Sequence, residues 1–375
     1  MSSLDFMRST PLIPSHEAEI PSPAVIIHWP EVEENLRRML VMAASPDLLR
    51  PHLKTHKLPQ IITRLAAMGV RKAKCATIAE AEMAAGAGAD DVMLAAPLVG
   101  PTTGRLLTLM RAFPTVQFSG LADDVTAVDA VSEAAVATGL PIRVWLDLDV
   151  GQHRTGVAPG AGAVALYRHL ATRPGIVVAG LHAYDGHLHQ ADPAERAAAC
   201  DEAFAPVAAL AAALRAEGCS VPAIVAGGTP TFPMHARRPG VECSPGTCVL
   251  WDAGYAHHLP DLDFLQAATL LTRVISRPGS GRLCLDLGHK AVASEMPQPR
   301  VVFPVLPDAR IIMHNEEHMV VETSRADDFP VGSVLGAVPW HICPTMALHG
   351  FVHVVRGHET PEVWPVTART RYLTC

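Results

Sequence analysis

From about residue 24 to residue 250, the sequence alternates short apolar runs with alanine-rich segments of helical period. Two such segments, EVEENLRRMLVMA and ACDEAFAPVAALAAALRAEG, repeat apolar residues at the i, i+3, i+4 spacing of an amphipathic helix. Strands that alternate with helices form a parallel sheet, because each crossover needs a helix to cover the sheet. The pattern therefore predicts an α/β protein whose sheet closes into a (β/α)8 barrel of the TIM type.

Polar and glycine residues gather at the ends of the candidate barrel strands. The candidates are Pro23–His28, Leu48–Thr55, Ala73–Thr77, Asp91–Pro97, Thr115–Gly120, Ile142–Val150, Gly175–Tyr184 and Pro222–Gly228. Parallel barrels build their sites from the loops that follow the carboxyl ends of the strands. We therefore expect the functional residues in RPHLKTHK, DVGQHRTG, HAYDGHLHQ and AGGTPTF.

Beyond about residue 255 the pattern changes to shorter β-like runs, such as LLTRVISRPG and HMVVETS, separated by Pro, Gly and Asp turns. A chain of 375 residues also exceeds the roughly 250 to 300 residues that a single hydrophobic core usually supports. We predict two domains, a barrel over residues 24–252 and an antiparallel β domain over residues 253–375, to which residues 1–23 contribute.

The composition excludes several classes of protein. A net charge of −7 gives no reason to expect nucleic acid as a partner, and no uninterrupted apolar run approaches the roughly 20 residues of a membrane span. The first residues carry acids and prolines where a secretory signal needs a basic start and an apolar stretch. Eight cysteines are scattered without the dense spacing of a disulfide scaffold. We therefore expect a cytoplasmic protein that binds neither nucleic acid nor membrane.

Lysine is scarce, and RPHLKTHK holds two of the five lysines, Lys54 and Lys57, beside two histidines. A lysine at the end of a barrel strand can form a Schiff base with an aldehyde if burial or nearby cations deprotonate its amine. A basic surface loop is the alternative interpretation.

AGGTPTF follows an apolar strand and offers backbone N–H groups of Gly227 and Gly228 beside the hydroxyl of Thr229. Such a loop can hold a phosphate, and barrels commonly bind phosphate in the loops after late strands. A pair of glycines in a tight turn is the alternative interpretation.

PWHICPT places His341 and Cys343 two residues apart, so that an extended backbone points both side chains to one face. Imidazole and thiolate suit a divalent metal, and two ligands would leave positions open for water or substrate. A core cysteine near a histidine is the alternative interpretation.

HAYDGHLHQ crowds polar side chains at the end of an apolar strand, and one of them could act as an acid or base: His182, Tyr184, Asp185, His187 or His189. DLDVGQHRTG brings Arg154 to an equivalent place, where a cation could bind a cofactor ring oxygen or a carboxylate. A surface ion pair with Asp147 or Asp149 is the alternative for Arg154.

The motifs occur in the order RPHxKTHK, DxDVGxxRTG, HxYDGH, GGTPT, ECSPGT, DxGxKAxxSE, NEEH and PxHxCPT. From about Pro21 to the C-terminus, this order resembles the D-threonine aldolase and D-serine dehydratase family, pyridoxal phosphate (PLP) enzymes with an alanine-racemase-type barrel. The resemblance implies a role for each matching residue: Lys54 as the Schiff-base lysine, Arg154 and Tyr184 beside the cofactor, Gly227, Gly228 and Thr229 at its phosphate, and His341 and Cys343 on a divalent zinc, manganese or magnesium ion.

The resemblance also implies a small D-3-hydroxy amino acid as substrate and a homodimer as the assembly. A base such as His187 or His189 that removes the hydroxyl proton leads to glycine and an aldehyde. A base that removes the α-proton leads instead to a keto acid and ammonia. The His-x-Cys pair resembles the dehydratase branch, whereas the YDGH run is closer to the aldolases, and we favour aldol cleavage. An amino-acid racemase and a non-catalytic PLP carrier are the other classes considered.

Overall fold

A computed structural model describes residue 13, residues 17–357 and residues 360–375. Part of the predicted contribution of residues 1–23, namely residues 1–12 and 14–16, lies outside the described residues. The strands are β1 (Ala24–His28), β2 (Lys72–Cys75), β3 (Asp91–Pro97), β4 (Gln117–Ala122), β5 (Ile142–Leu148), β6 (Ile176–Ala183), β7 (Ile224–Ala226), β8 (Val241–Cys243), β9 (Ala268–Ser276), β10 (Arg282–Leu285), β11 (Val301–Val302), β12 (Arg310–His314), β13 (Met319–Glu322), β14 (Val334–Pro339), β15 (Phe351–Val355) and β16 (Glu362–Pro365). The α-helices are α1 (Trp29–Ala43), α2 (Pro59–Ala67), α3 (Ile78–Gly86), α4 (Pro101–Ala112), α5 (Val125–Thr138), α6 (Ala161–Thr172), α7 (Pro193–Ala216), α8 (Phe232–His235), α9 (Ala253–His258) and α10 (Ile342–Leu348).

The chain forms two compact units. The barrel unit consists of Met39–Lys54, Leu58–Gly246 and Thr370–Cys375. The β unit consists of the residues up to Arg38, Thr55–Lys57 and Thr247–Arg369.

In the barrel unit, the described residues form a parallel sheet in the order β2-β3-β4-β5-β6-β7-β8, with each strand beside the next one along the chain. Apolar side chains such as Met93, Trp145 and Val225 pack into one cluster. The strand interiors are almost entirely buried, as expected of a parallel sheet that is covered on both faces. The predicted α/β class and parallel barrel are confirmed.

The segment before Lys54 closes this sheet. Leu49 pairs with Cys243 of β8 and His52 pairs with Lys74 of β2, both in parallel orientation. The sequence predicts a regular strand here, but the structure has isolated bridges and short 3-10 turns instead. Pro51 lacks an N–H group and cannot donate to a strand ladder, although its carbonyl accepts from Lys74 N–H at 2.9 Å.

The first predicted barrel strand is a strand of the other sheet. β1 pairs antiparallel with β9 and parallel with β15, both in the β unit, so its assignment to the barrel is wrong. All five of its residues are buried. An apolar run of this kind carries no sign of which strands it will pair with, because its partners are more than 200 residues away along the chain.

The remaining strands of the β unit form a mixed sheet. β9 is its centre, with antiparallel partners β1, β10 and β14, while β13 and β12 extend the sheet beyond β10. The C-terminal part forms antiparallel strand pairs, as expected. Among the described strand pairs of the β unit, β1–β15 is parallel and the others are antiparallel.

Within the described chain, α7 is long and apolar enough to cross a membrane by length and composition alone. It connects β6 to β7, which are parallel neighbours, and so has the place of a crossover helix. Asp192 caps its first turn by accepting hydrogen bonds from two backbone N–H groups.

Candidate active site

A cavity of about 200 Å³ lies in the barrel unit, where the carboxyl ends of several strands meet. Strand ends in a parallel barrel converge on one face, which is the usual place of a catalytic site. The polar side chains that line the cavity are those of His52, Lys54, Lys74, Asp147, Asp149, Gln152, Arg154, Thr155, His182 and Tyr184. Three residues predicted for the cofactor, Lys54, Arg154 and Tyr184, are therefore brought to one cavity.

Lys54 reaches the cavity because it follows directly on the segment that closes the barrel. The backbone N–H of Lys54 donates to Nδ1 of His52 at 3.3 Å, and His52 is itself paired with β2. The lysine is half-buried, so its amine is open to a ligand in the cavity.

Lys74 is a second amine in the cavity, and the sequence analysis did not select it. It lies on β2 with only 2% of its surface exposed. Burial and the neighbouring charge of Lys54 together lower the pKa of Lys74 to about 7, against the opposing effect of Asp147. In the sequence, the position of Lys74 inside the predicted strand Ala73–Thr77 could have indicated its importance, because a lysine buried in a strand rarely serves packing alone.

Two cationic side chains lie over the aromatic ring of Tyr184. The guanidinium carbon of Arg154 lies 5.0 Å from the ring centroid, and the amine nitrogen of Lys74 lies 5.3 Å from it. Arg154 itself stays exposed. A planar anionic ligand would thus meet an aromatic face and several positive charges.

His182 and Asp147 form a buried pair at the cavity. Nδ1 of His182 lies 2.6 Å from an Asp147 carboxylate oxygen, and the Thr155 hydroxyl donates to the other oxygen at 2.8 Å. Burial lowers the pKa of His182, with a further contribution from Lys74. For Asp147, hydrogen bonds from His182 and Thr155 outweigh burial, which alone would raise its pKa, and the net pKa is lowered.

The other nitrogen of the His182 ring, Nε2, is buried and has no hydrogen-bond partner. An unpaired buried polar atom costs free energy, and this one belongs to a residue that lines the cavity. A polar ligand in the cavity would remove that cost.

The two histidines that the sequence analysis selected as candidate bases lie in the loop that follows β6. Neither His187 nor His189 is among the residues that line the cavity. His189 is exposed. His187 is half-buried beside Gly151, with an unpaired buried Nδ1.

Gly227, Gly228 and Thr229 follow β7 directly, as the sequence analysis expects. Gly227 has a φ of +77°, and a Cβ there would lie 2.6 Å from a carbon of the His235 ring. Only glycine therefore suits this position. The loop is not part of the cavity lining, but a Cβ on Gly228 would lie 3.1 Å from the Tyr184 ring, so the loop contacts a residue that is.

These features fit PLP. The cavity offers an amine for its aldehyde, cations for its charged groups, an aromatic face for its ring and an unpaired buried imidazole nitrogen. A glycine loop without space for side chains lies against Tyr184.

His341 and Cys343 lie in the β unit, at the start of α10. Nδ1 of His341 lies 2.5 Å from a Glu295 carboxylate oxygen. A carboxylate on one imidazole nitrogen orients the ring and leaves the other nitrogen for a metal, as in many metal sites. Glu295 is the final residue of the DxGxKAxxSE motif, whose function the sequence alone did not indicate.

The thiol of Cys343 is held in an environment that favours the thiolate. Its Sγ lies 3.2 Å from the Thr55 hydroxyl and 3.5 Å from the Thr247 hydroxyl. Burial acts to raise the pKa of Cys343, but hydrogen bonds and the charge of His341 lower it overall. Burial acts to lower the pKa of His341, yet Cys343 raises it to about 9. Thiolate with imidazole is a donor set that fits zinc or a similar divalent ion.

Within the described residues, no third histidine, cysteine or carboxylate joins this pair closely enough to make a three-ligand cluster. Asp252 lies nearby, where its carboxylate accepts from the Ile342 N–H at 3.0 Å. Burial raises the pKa of Asp252 to about 6. The pair fits an open site of the catalytic kind better than a closed structural one.

Residues 27–251 match the family described as "Alanine racemase, N-terminal domain", and residues 267–355 match the one described as "Putative serine dehydratase domain". A D-threonine aldolase from Arthrobacter sp is 33% identical over 359 residues, covering 94% of this chain and 93% of that protein.

Solved structures give the same result for the fold. The crystal structure of D-threonine aldolase from Filomicrobium marinum has a TM-score of 0.85 at 32% identity, covering 94% of this chain and 96% of that one. D-threo-3-hydroxyaspartate dehydratase from Delftia sp. HT23 has a TM-score of 0.83 at 24% identity, covering 92% and 97%. A cysteine variant of that dehydratase is described in a metal-free form, which implies that the enzyme binds a metal.

The family match over more than half of the chain, the identity to D-threonine aldolase and the arrangement of Lys54, Arg154 and Tyr184 agree with one another. The chain belongs to the D-threonine aldolase and D-serine dehydratase family of PLP-dependent lyases with an alanine-racemase-type barrel.

Proposed function

We propose that this protein is a lyase that uses PLP and a divalent metal to cleave D-3-hydroxy amino acids, such as D-threonine, into glycine and an aldehyde. The observation that carries the proposal is the cavity in which the Lys54 amine, the Arg154 guanidinium and the Tyr184 ring meet. The similarity to D-threonine aldolase over 94% of the chain supports the choice of reaction.

Lys54 would hold the cofactor through its amine. Arg154 and Tyr184 would orient the ring, while the loop of Gly227, Gly228 and Thr229 would lie against the phosphate. When bound, PLP supplies an electron sink for the bonds at the substrate's α-carbon.

His341 and Cys343 would hold the metal, which supplies a Lewis acid for the substrate's 3-hydroxyl oxygen. Glu295 would keep the His341 ring in a fixed tautomer and orientation. The sulfur and nitrogen donors favour zinc over magnesium, which prefers oxygen ligands, with manganese between them.

Aldol cleavage needs a base that removes the proton of the 3-hydroxyl, and we propose His187 for this role. Its ring is half-buried with a free Nδ1, whereas the other candidate, His189, is exposed to solvent. Histidine is the side chain most often used as a general base in proton transfer.

Dehydration is the second candidate reaction, favoured by one observation, the cysteine at position 343. The His-x-Cys pair resembles the dehydratase branch of the family, and a D-threo-3-hydroxyaspartate dehydratase from Delftia is 25% identical to this chain. A base that removes the α-proton, for which Lys54 is the candidate, would then lead to a keto acid and ammonia.

One incubation separates the two reactions. The purified protein, supplied with PLP and zinc or manganese, is mixed with D-threonine, D-serine and 3-hydroxy-D-aspartate, and glycine and keto acid are measured separately. Glycine from D-threonine, abolished by a chelator, is the expected result. Keto acid without glycine would replace the aldolase proposal with the dehydratase one, and racemised substrate alone would contradict both.

We further propose that the protein is a cytoplasmic homodimer. All eight cysteines are free, which suits a reducing compartment. Light scattering coupled to gel filtration tests the dimer, and a monomer with full activity would contradict it.

A further inference from the structure

We propose that Asp185 is a positioning residue that holds the phosphate-binding loop in place through a buried chain of hydrogen bonds from Arg238 to Gly228. This inference rests on the proposed function, because it assigns a task to side chains behind the PLP phosphate site. All of the residues belong to the barrel unit.

The chain of hydrogen bonds begins at Arg238, which follows α8, and ends at Gly228 in the loop after β7. Arg238 donates to Nδ1 of His235 at 2.8 Å, and Nε2 of His235 lies 2.8 Å from one oxygen of Asp185. The other oxygen of Asp185 accepts from the Thr231 hydroxyl at 2.8 Å. The Thr231 oxygen in turn accepts from the Gly228 N–H at 3.4 Å. Asp185 thus connects the end of β6 to the loop after β7.

The direction of each bond follows from the arginine. A guanidinium has only donors, so Nδ1 of His235 must be an acceptor and the proton of the neutral ring sits on Nε2. That N–H then donates to Asp185. Each oxygen of the Asp185 carboxylate accepts a hydrogen bond. These bonds offset the free-energy cost of burying the carboxylate, because Asp185 is only 3% exposed.

The same geometry argues against a metal ion at this place. Asp185, His235 and the thiol of Cys200 are close enough to share one. However, the proton on Nε2 of His235 occupies the position that a metal would need. Burial also raises the pKa of Cys200 to about 11, so that its thiol stays protonated, and the Arg238 guanidinium lies 3.4 Å from the sulfur.

The loop of Gly227 and Gly228 is tightly packed against the residues behind it. A Cβ on Gly227 would lie 2.9 Å from the Thr231 hydroxyl and 2.6 Å from the His235 ring. Gly227 N–H also donates to the carbonyl of Ala183 at the end of β6. Since Asp185 directly follows Tyr184, the carboxylate couples the residue that lines the cavity to the loop that would bind the phosphate.

Asp185→Asn tests the proposal, because it keeps the shape and replaces one acceptor with an N–H group that faces the His235 N–H. We expect the dissociation constant for PLP, titrated into the full-length apoprotein, to rise about ten- to hundredfold, the value of one lost charged hydrogen bond. Pyridoxal, which lacks the phosphate, should bind Lys54 with an affinity that changes less than about twofold. Chelator should change neither value.

Two milder variants serve if Asp185→Asn folds poorly. Thr231→Val removes the hydroxyl that joins Asp185 to Gly228 and should weaken PLP but not pyridoxal, whereas Thr231→Ser keeps the hydroxyl and should restore the affinity. Tyr167→Phe is the matched control, because it removes a buried hydrogen bond to the Ser220 carbonyl on another part of the barrel unit. It should leave both affinities unchanged.

Several outcomes would overturn the inference. Unchanged PLP affinity in both Asp185→Asn and Thr231→Val would do so, as would an equal loss of PLP and pyridoxal. If the unaltered protein binds neither compound at Lys54, the proposed function fails as well, and this separates the two failures. A chelator-sensitive loss of fold would instead assign the cluster to a metal.

Discussion

One ion-pair cluster of the barrel unit and one ion pair of the β unit differ strongly in how far they are buried. In the barrel unit, Arg50 is 1% exposed and pairs with Asp91 and Glu242 at 2.8 Å each. In the β unit, Arg310 is 71% exposed in its pair with Glu322, and the candidate metal ligand His341 is 42% exposed. A buried charge must be matched by fixed partners, as Arg50 is by Asp91 and Glu242. The β unit offers its candidate ligands at a more open place.

The two lysines of RPHLKTHK give the largest test of that comparison, because Lys54 belongs to the barrel unit and Lys57 to the β unit. Lys54→Ala should abolish the visible absorbance of bound cofactor and lower turnover by about a thousandfold or more, as expected for loss of a covalent catalyst. Lys57→Ala is the matched control and should keep the absorbance. The reverse result would mean that the wrong lysine was chosen.

Arg50→Met tests whether the buried charges hold the barrel unit together. The substitution removes the guanidinium that donates to both oxygens of the Asp91 carboxylate. Glu242 loses its ion pair with Arg50 and retains the one with Lys72. The free energy of unfolding should fall by about 3 to 5 kcal/mol, measured by urea denaturation. A loss below about 1 kcal/mol would show that water reaches this cluster and that the contrast between the units is weaker than their exposures imply.

Cys343→Ala should remove the metal and lower turnover by about a hundredfold, since a Lewis acid contributes several kcal/mol to such a reaction. PLP should remain bound with its absorbance intact, because Lys54 and its cavity lie in the barrel unit. Metal content by mass spectrometry and turnover by glycine release are the measurements. Cys284→Ala, in the same unit, is the control. Full activity of the metal-free variant would contradict the Lewis-acid role.

Arg310→Ala has the smallest expected effect. Its pair with Glu322 is exposed on a strand at the edge of the sheet, and surface ion pairs of this kind contribute little. The urea midpoint and the turnover should both stay within experimental error of the unaltered protein. A clear destabilisation would show that the surface charges of the β unit matter as much as the buried ones of the barrel unit.

Much of the barrel was predictable because its evidence is local. The strands from β3 to β6 appear in the sequence as apolar runs between helical segments, and their observed bounds agree with the predicted ones within a few residues. β8, with only the residues Val241–Cys243, is too short for a recognisable pattern. β1 was recognised as a strand but given the wrong partners, because pairing depends on distant hydrogen bonds.

His182, which the sequence analysis left among several candidates, could have been singled out from strand alternation. His182 and Tyr184 are two residues apart at the end of β6, so they face the same side of the strand, and both line the cavity. The choice of Tyr184 therefore implied His182. The positions of His187 and His189 depend on the loop beyond the strand, where no such periodicity applies, and their roles stay predictions.

The sequence by itself determined the βα architecture and the family, because periodicity and the order of the motifs are properties of the linear chain, and it singled out Lys54, whose role stays a prediction. The tertiary structure decided which side chains share the cavity, which of them are buried, and what orients His341. Those features depend on burial and hydrogen bonds between residues far apart in the chain, such as His341 with Glu295 and Asp185 with His235. The energies of such contacts come from position in space, which no local pattern of residues specifies.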